Sequence, residues 1–328
     1  MTASSVPADP VTAAQSGVEG FWSGLRGQVG RAVVGADGAL RLVAIALLAD
    51  GHVLVEDVPG TGKTLMARAV SRALSLETSR IQGTPDLLPV DVTGSSLYEG
   101  GALRFVPGPV FTNVLLVDEI NRATPRTQSA LLEAMQEHQV SVEGEVRRLP
   151  EPFVVLATQN PVEYEGTFSL PQAQLDRFLV RAGIGYPDEA GERAIAARYR
   201  AAAEPLDAIE PIADGPTILA LRDHVRQVLV APEVEAYVVA ITRATREHPD
   251  LELGASPRAS VALYRAAQAS AALDGRDFVL PDDVKAVAGP VLEHRLVVDI
   301  DRAVRGATPA ATVAAILATV PAPPLPEA

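Results

Sequence analysis

Cysteine is absent from the 328 residues, which removes disulfides, thiolate nucleophiles and cysteine metal ligands at once. Lysine is nearly absent: of 28 basic residues only Lys63 and Lys285 are lysine, and arginine supplies the others. The five histidines are scattered and never approach H-E-x-x-H spacing, so a histidine-bound metal centre is not expected. No apolar run reaches bilayer length; the longest, Leu42 to Ala49 and Pro309 to Val320, fall well short. The first 25 residues hold neither Lys nor Arg and no apolar stretch of the secretory kind. These absences lead to an expected cytoplasmic location without membrane insertion. Positive charge is also short, 28 basic against 41 acidic residues for a formal net charge of −13. That balance speaks against a general nucleic-acid coat, although a local basic channel is compatible with it.

With 48% hydrophobic and 21% charged residues the chain has the makings of a packed core, and its length suits about two domains. The most informative stretch runs from Glu56 to Thr64. An apolar run, His52 to Val55, precedes it and a helix-competent run, Leu65 to Leu74, follows. Between them Pro59, Gly60, Thr61 and Gly62 form a tight turn whose successive N–H groups converge on one point, a seat for phosphate at a helix N-terminus. Lys63 supplies the charge for β and γ oxygens and the Thr64 hydroxyl a ligand for Mg²⁺, with Leu65 entering the helix. A chain that uses arginine almost everywhere keeps an ammonium here, where a compact point charge must fit a backbone cradle. The strict pattern asks for glycine at position 57, where this chain has Asp57.

Val114 to Val117 is apolar without alternation, as in a strand covered on both faces, and ends in Asp118 and Glu119. Adjacent carboxylates at a strand tip suit water-mediated Mg²⁺ binding by Asp118 and orientation of an attacking water by Glu119; a solvated strand end has the same composition. A third such strand, Phe153 to Thr158, ends in Gln159-Asn160-Pro161. Asn160 is placed to sense a γ-phosphate, or is simply a turn former before proline. Arg177, beside Phe178, is where a multimeric ATPase presents an arginine to its neighbour, although these residues alone favour a surface arginine at a helix end. Arg258 follows Ser256-Pro257 at a helix start, which suits an arginine aimed at phosphate. Upstream, Val33, Val34 and Gly35 interrupt two helical runs and either line a base pocket or form a helix–helix turn.

The remaining punctuation divides the chain. Residues 1–17 read as a tail and 18–187 as an α/β core. Two hairpins interrupt that core, near 95–106 around Gly100-Gly101 and near 140–148 around Glu143-Gly144. Arg147-Arg148 reads as a solvated strand end. Residues 188–215 form a connection, 216–320 a smaller helical domain and 321–328 a Pro-rich end. Helical periodicity covers 191–203, 216–228, 232–246, 258–273, 281–292 and 309–319.

Taken together, DVPGTGKT, VLLVDEINRA, VVLATQNP, AQLDRF and GASPRA resemble the ordered motifs of AAA+ ATPases. TPDLLPVDVTG and EGTFSLPQAQLDRF narrow the resemblance to the MoxR family, in the branch with an insertion in the second core helix, related to the magnesium-chelatase ATPase subunit. The resemblance runs from about residue 18 to 300. It implies an αβα core on a parallel five-stranded sheet, followed by an all-α lid. It also implies ATP and Mg²⁺ as ligands, with Lys63 and Thr64 as Walker A, Asp118 and Glu119 as Walker B and Asn160 as sensor 1. Arg177 is then similar to the arginine finger and Arg258 to sensor 2, acting in cis or in trans. The family implies a homo-oligomeric ring, usually hexameric, and client remodelling or metal-cofactor insertion with a von Willebrand factor A domain partner; the client is not legible. Three alternatives stand beside this: a chelatase subunit proper, an ATP-gated scaffold, and a nucleic-acid motor, against which net charge and sparse aromatics weigh.

Overall fold

The computed structural model describes residues 17–57, 60–159, 167–198 and 204–324. Helices α1 (Gly17–Gly30) and α2 (Asp37–Leu48) precede strand β1 (Val53–Glu56), which leads to α3 (Lys63–Ala73) and β2 (Thr78–Gln82). A single turn, α4 (Pro89–Thr93), enters the hairpin of β3 (Gly94–Glu99) and β4 (Ala102–Pro107). Then come β5 (Val114–Asp118), α5 (Pro125–Glu137), a second hairpin of β6 (Gln139–Val142) and β7 (Glu145–Arg148), β8 (Val154–Gln159), the short α6 (Gln172–Leu175) and β9 (Val180–Ala182). Strands β2-β5-β8-β1-β9 form one parallel five-stranded sheet in that spatial order.

The central strands are apolar throughout because both faces are covered. Val53, Val55, Val114, Leu116, Val154 and Leu156 point into one buried cluster, while Leu54, Leu115, Val117, Val155 and Ala157 point into another. The first cluster continues through α1, α2 and α3 into the helices that follow, so the two halves of the chain share one apolar interior.

Those helices are α7 (Glu189–Arg198), α8 (Gly215–Arg226), α9 (Pro232–Glu247), α10 (Pro257–Leu273), α11 (Pro281–Leu292), α12 (Ile300–Val304) and α13 (Pro309–Thr319). Polar residues cap several of them. Asp214, Ser256 and Thr308 each accept a backbone N–H from the first turn, and Thr124 does the same for α5. The helical periodicity therefore lands close to the observed bounds, except that 199–203 lie outside the described residues. The lid adds a small antiparallel ribbon that the helical reading did not contain, β10 (Leu251–Leu253) on β11 (Val297–Val298).

Lid and core are also tied by charge. Arg222, buried on α8, donates from Nε to the Leu47 carbonyl at 2.7 Å and pairs with Asp50 at 2.5 Å. Removing Asp50 strands the buried Arg222 charge, at a cost of about 3–5 kcal/mol.

The two hairpins touch each other. Gly100 and Gly101 take positive φ at the first tip, and Glu143 and Gly144 at the second, as two-residue turns between twisted strands require. Glu143 accepts the backbone N–H of Ser96, and the Arg147 guanidinium lies 3.9 Å from the Phe105 ring centroid. Arg147 is thus not a solvated strand end; stacking on the other hairpin keeps it half-buried.

Candidate functional site

Strands β1, β5 and β8 end side by side in a parallel sheet, so whatever follows them gathers along one edge. After β1, Gly60 and Gly62 take φ of 84° and 86°, a region closed to most side-chain-bearing residues. Gly62 caps α3, which begins at Lys63. The N-terminal end of the helix and its dipole favour an anion there. The Lys63 ammonium donates to the Asp57 carbonyl at 2.7 Å, and Leu65 packs half-buried on the first apolar cluster.

The Thr64 hydroxyl sits 3.4–3.5 Å from both carboxylate oxygens of Asp118 at the end of β5. A hydroxyl and a carboxylate placed together, with no nitrogen or sulfur donor, form an oxygen donor set of the kind Mg²⁺ takes. Asp118 also receives Thr158 Oγ at 3.4 Å and Arg80 Nε at 2.7 Å.

Glu119 adopts a left-handed φ of 56°. A non-glycine residue pays strain for that conformation, and its surroundings hold it there. Its N–H donates to Thr158 Oγ at 2.9 Å. Gly83 lies so close that a Cβ on it would be 2.1 Å from the Glu119 carbonyl oxygen. The Glu119 carboxylate accepts from Gln82 at 2.9 Å and from Arg122 at 3.0 Å. Arg80 and Gln82, two residues apart on β2, reach the same side of the sheet edge, so each acid carries a polar partner from the edge strand.

Val34 and Gly35 sit where α1 and α2 meet the chain leaving β9. A Cβ on Gly35 would lie 3.8 Å from Pro187, and one on Gly191 would lie 3.3 Å from the Val34 side chain. Pro59 and Asn160 lie outside the described residues.

Arg177 and Arg258 are elsewhere. Both line a cavity of about 320 Å³ together with Gly51, His52, His138, Arg265 and Arg295, and none of Gly60 to Leu65 lines it. Gly51 and His52 precede β1 whereas Gly60 follows it, so the cavity and the glycine turn lie at opposite ends of a strand of about 13 Å. Asp176 anchors the arginine beside it, accepting Arg295 Nε at 2.8 Å and Ser256 Oγ at 2.9 Å. Burial lowers the Arg295 pKa and the Asp176 carboxylate opposes that shift. The Nε of Arg177 is buried and lacks a hydrogen-bond partner among the described residues.

His52 forms part of this wall. Its Nδ1 accepts the Val155 N–H at 3.0 Å while Nε2 meets the Met135 carbonyl at 2.8 Å. Burial brings its pKa down to about 4.

Several of these residues escaped sequence reasoning. Arg80, Gln82 and Arg122 belong to no phosphate-loop pattern; only the fold sets Arg80 and Gln82 against the acids, whereas Arg122 lies three residues from Glu119. Arg265 had a signal, its spacing of seven from Arg258, which puts both on one face of α10.

Comparison with known proteins places this geometry. Residues 52–180 match the family model described as "ATPase family associated with various cellular activities (AAA)", and residues 243–316 match the AAA lid domain. YeaC of Bacillus subtilis is 45% identical over 90% of this chain and 92% of its own length. Chaperone MoxR1 of Mycobacterium tuberculosis is 42% identical over 90% of this chain and 81% of its own. A crystal structure of a candidate ATPase from Cytophaga hutchinsonii superposes with a TM-score of 0.87, at 35% identity, covering 96% of this chain and 97% of that one.

Proposed function

Because the chain belongs to the MoxR family of AAA+ ATPases, we propose that it binds ATP with Mg²⁺ at Gly60 to Leu65 and hydrolyses it in a homo-oligomeric ring, a hexamer in the simplest case. Thr64 and, through water, Asp118 would hold the Mg²⁺, which neutralises phosphate charge. Lys63 faces the β and γ oxygens, Glu119 orients the attacking water and Asn160 senses the γ-phosphate. Val34 and Gly35 lie against the base.

One observation carries the ring. Arg177 and Arg258 share a cavity that none of Gly60 to Leu65 lines, at the far end of β1. An arginine there stands apart from its own subunit's phosphate cradle. In a ring the cavity of one copy faces the nucleotide of the next, so both arginines act in trans, Arg177 on the charge of the transition state and Arg258 on the bound phosphates.

The work done with that hydrolysis is a movement of lid against core, transmitted to the coupled hairpins and through them to a client. A relative named as a chaperone supports remodelling or maturation of a client protein. Metal-cofactor insertion with a von Willebrand factor A domain partner belongs to the same reading. A second reading, an ATP-gated scaffold with little turnover, is favoured by the way Gln82 and Arg122 hold Glu119 and Arg80 holds Asp118.

ATP turnover per subunit against protein concentration, for the native chain and for Arg177→Ala, tests the proposal. A rate that climbs with concentration, and is lost in the variant while ATP binding persists, supports the ring ATPase. A low rate that is flat with concentration and indifferent to Arg177 favours the scaffold.

A further inference from the structure

Asp57 occupies the position where the strict phosphate-loop pattern has glycine, and its side chain is employed. Its Oδ2 accepts the backbone N–H groups of both Ile184 and Gly185, each at 2.7 Å. Its carbonyl accepts the Lys63 ammonium at 2.7 Å, and its own N–H donates to the Gln159 carbonyl at 3.4 Å. One residue therefore touches the phosphate lysine, the end of β8 and the chain that leaves β9.

In the proposed nucleotide site that chain is the wall of the base pocket. Two residues beyond Gly185, Pro187 packs against Gly35, and Gly191 packs against Val34. The backbone of Asp57 is thus keyed to the phosphate end of the site and its carboxylate to the base end. Next to it, Arg181 bridges Glu56 on β1 and Glu293 of the lid, both at 2.8 Å, so the neighbouring residue ties the same strand end to the lid independently.

We propose that Asp57 is a positioning residue that fixes the span between the phosphate cradle and the base pocket, so that the site favours a nucleoside triphosphate over a bare polyphosphate. This rests on the reading of Gly60 to Leu65 as the nucleotide site. Two hydrogen bonds from one carboxylate to consecutive N–H groups hold the linker in a single place. Glycine at position 57 satisfies the loop pattern and releases the linker, leaving the cradle formed and the base wall loose.

The test measures binding by titration calorimetry, with ATP and inorganic tripolyphosphate as probes and no turnover required. Asp57→Gly is expected to weaken ATP by about tenfold while tripolyphosphate stays within about twofold of native, since the two charge-assisted hydrogen bonds that are lost act on the base end. Asp57→Asn keeps an acceptor oxygen and is expected to fall between native and glycine for ATP; it carries the same comparison if the glycine variant fails to fold. Equal weakening of both probes, or no change in either, overturns the proposal. A native chain that binds neither probe overturns the nucleotide-site reading itself, an outcome distinct from the other two.

Discussion

Arg80 on the edge strand donates from Nε to Oδ2 of Asp118 at 2.7 Å, so the carboxylate assigned to the metal already carries a cation from its own chain. A divalent ion arriving beside Thr64 competes with that guanidinium for the same oxygens. Arg80→Ala is expected to lower the Mg²⁺ concentration for half-maximal ATP turnover by about threefold to tenfold, since Arg80 is half-exposed and its pairing is screened. A Mg²⁺ titration of native and variant checks this; an unchanged or higher requirement contradicts it.

In the proposed mechanism Glu119 is the residue that separates hydrolysis from binding. Glu119→Gln keeps the size of the side chain and removes its basicity, so turnover should fall by about 10²–10⁴-fold while ATP affinity stays near native. Equal loss of binding and turnover would show that the strained loop at φ 56°, rather than the carboxylate, is what the substitution disturbs.

The contact between Arg147 and Phe105 joins two hairpins that are remote in sequence. Phe105→Leu or Arg147→Ala removes a stacking interaction of about 0.5–1 kcal/mol. Hydrogen exchange should then quicken at amides of both hairpins in either variant. Faster exchange confined to the mutated hairpin would mean that the two move separately.

Much of the site was readable because its residues are consecutive. Gly60 to Thr64 and Asp118-Glu119 each occupy one turn or one strand tip, and unbroken apolar runs announce buried parallel strands. The fold then fixes their adjacency, Thr64 against Asp118. What escaped depends on tertiary placement. Arg80 and Gln82 look like ordinary polar positions on an edge strand until β2 is laid beside β5. Asp57 read as a lapse from a pattern because its partners, Ile184 and Gly185, are more than a hundred residues away. Arg147 read as solvent-exposed because nothing local announces Phe105. That Arg258 shares a cavity with Arg177 and with the residues before β1 could not be read from a helix start.

His52 gives the fold a pH dependence. Its folded pKa, about 4, lies below the ordinary 6.5, so the unfolded chain binds a proton that the native one refuses. Its contribution to stability is complete above about pH 6.5 and is lost progressively as pH falls towards 4. A shift of that size corresponds to about 3 kcal/mol. Buried His294 is shifted the same way. The melting temperature should decline across this window, and His52→Gln, which can still accept from Val155 and donate to Met135, should flatten the decline. A variant with the native slope would remove His52 from the account.

The central claim is that each nucleotide site is completed by a second copy. Mixing two defective chains tests it most directly. Lys63→Ala lacks the phosphate cation but keeps Arg177, and Arg177→Ala keeps the cradle but lacks the arginine. Each alone should be nearly silent, and the mixture should recover a substantial fraction of native ATP turnover as mixed rings form. If both variants assemble like the native chain and their mixture stays silent, Arg177 does not act across the subunit boundary and the shared site is wrong.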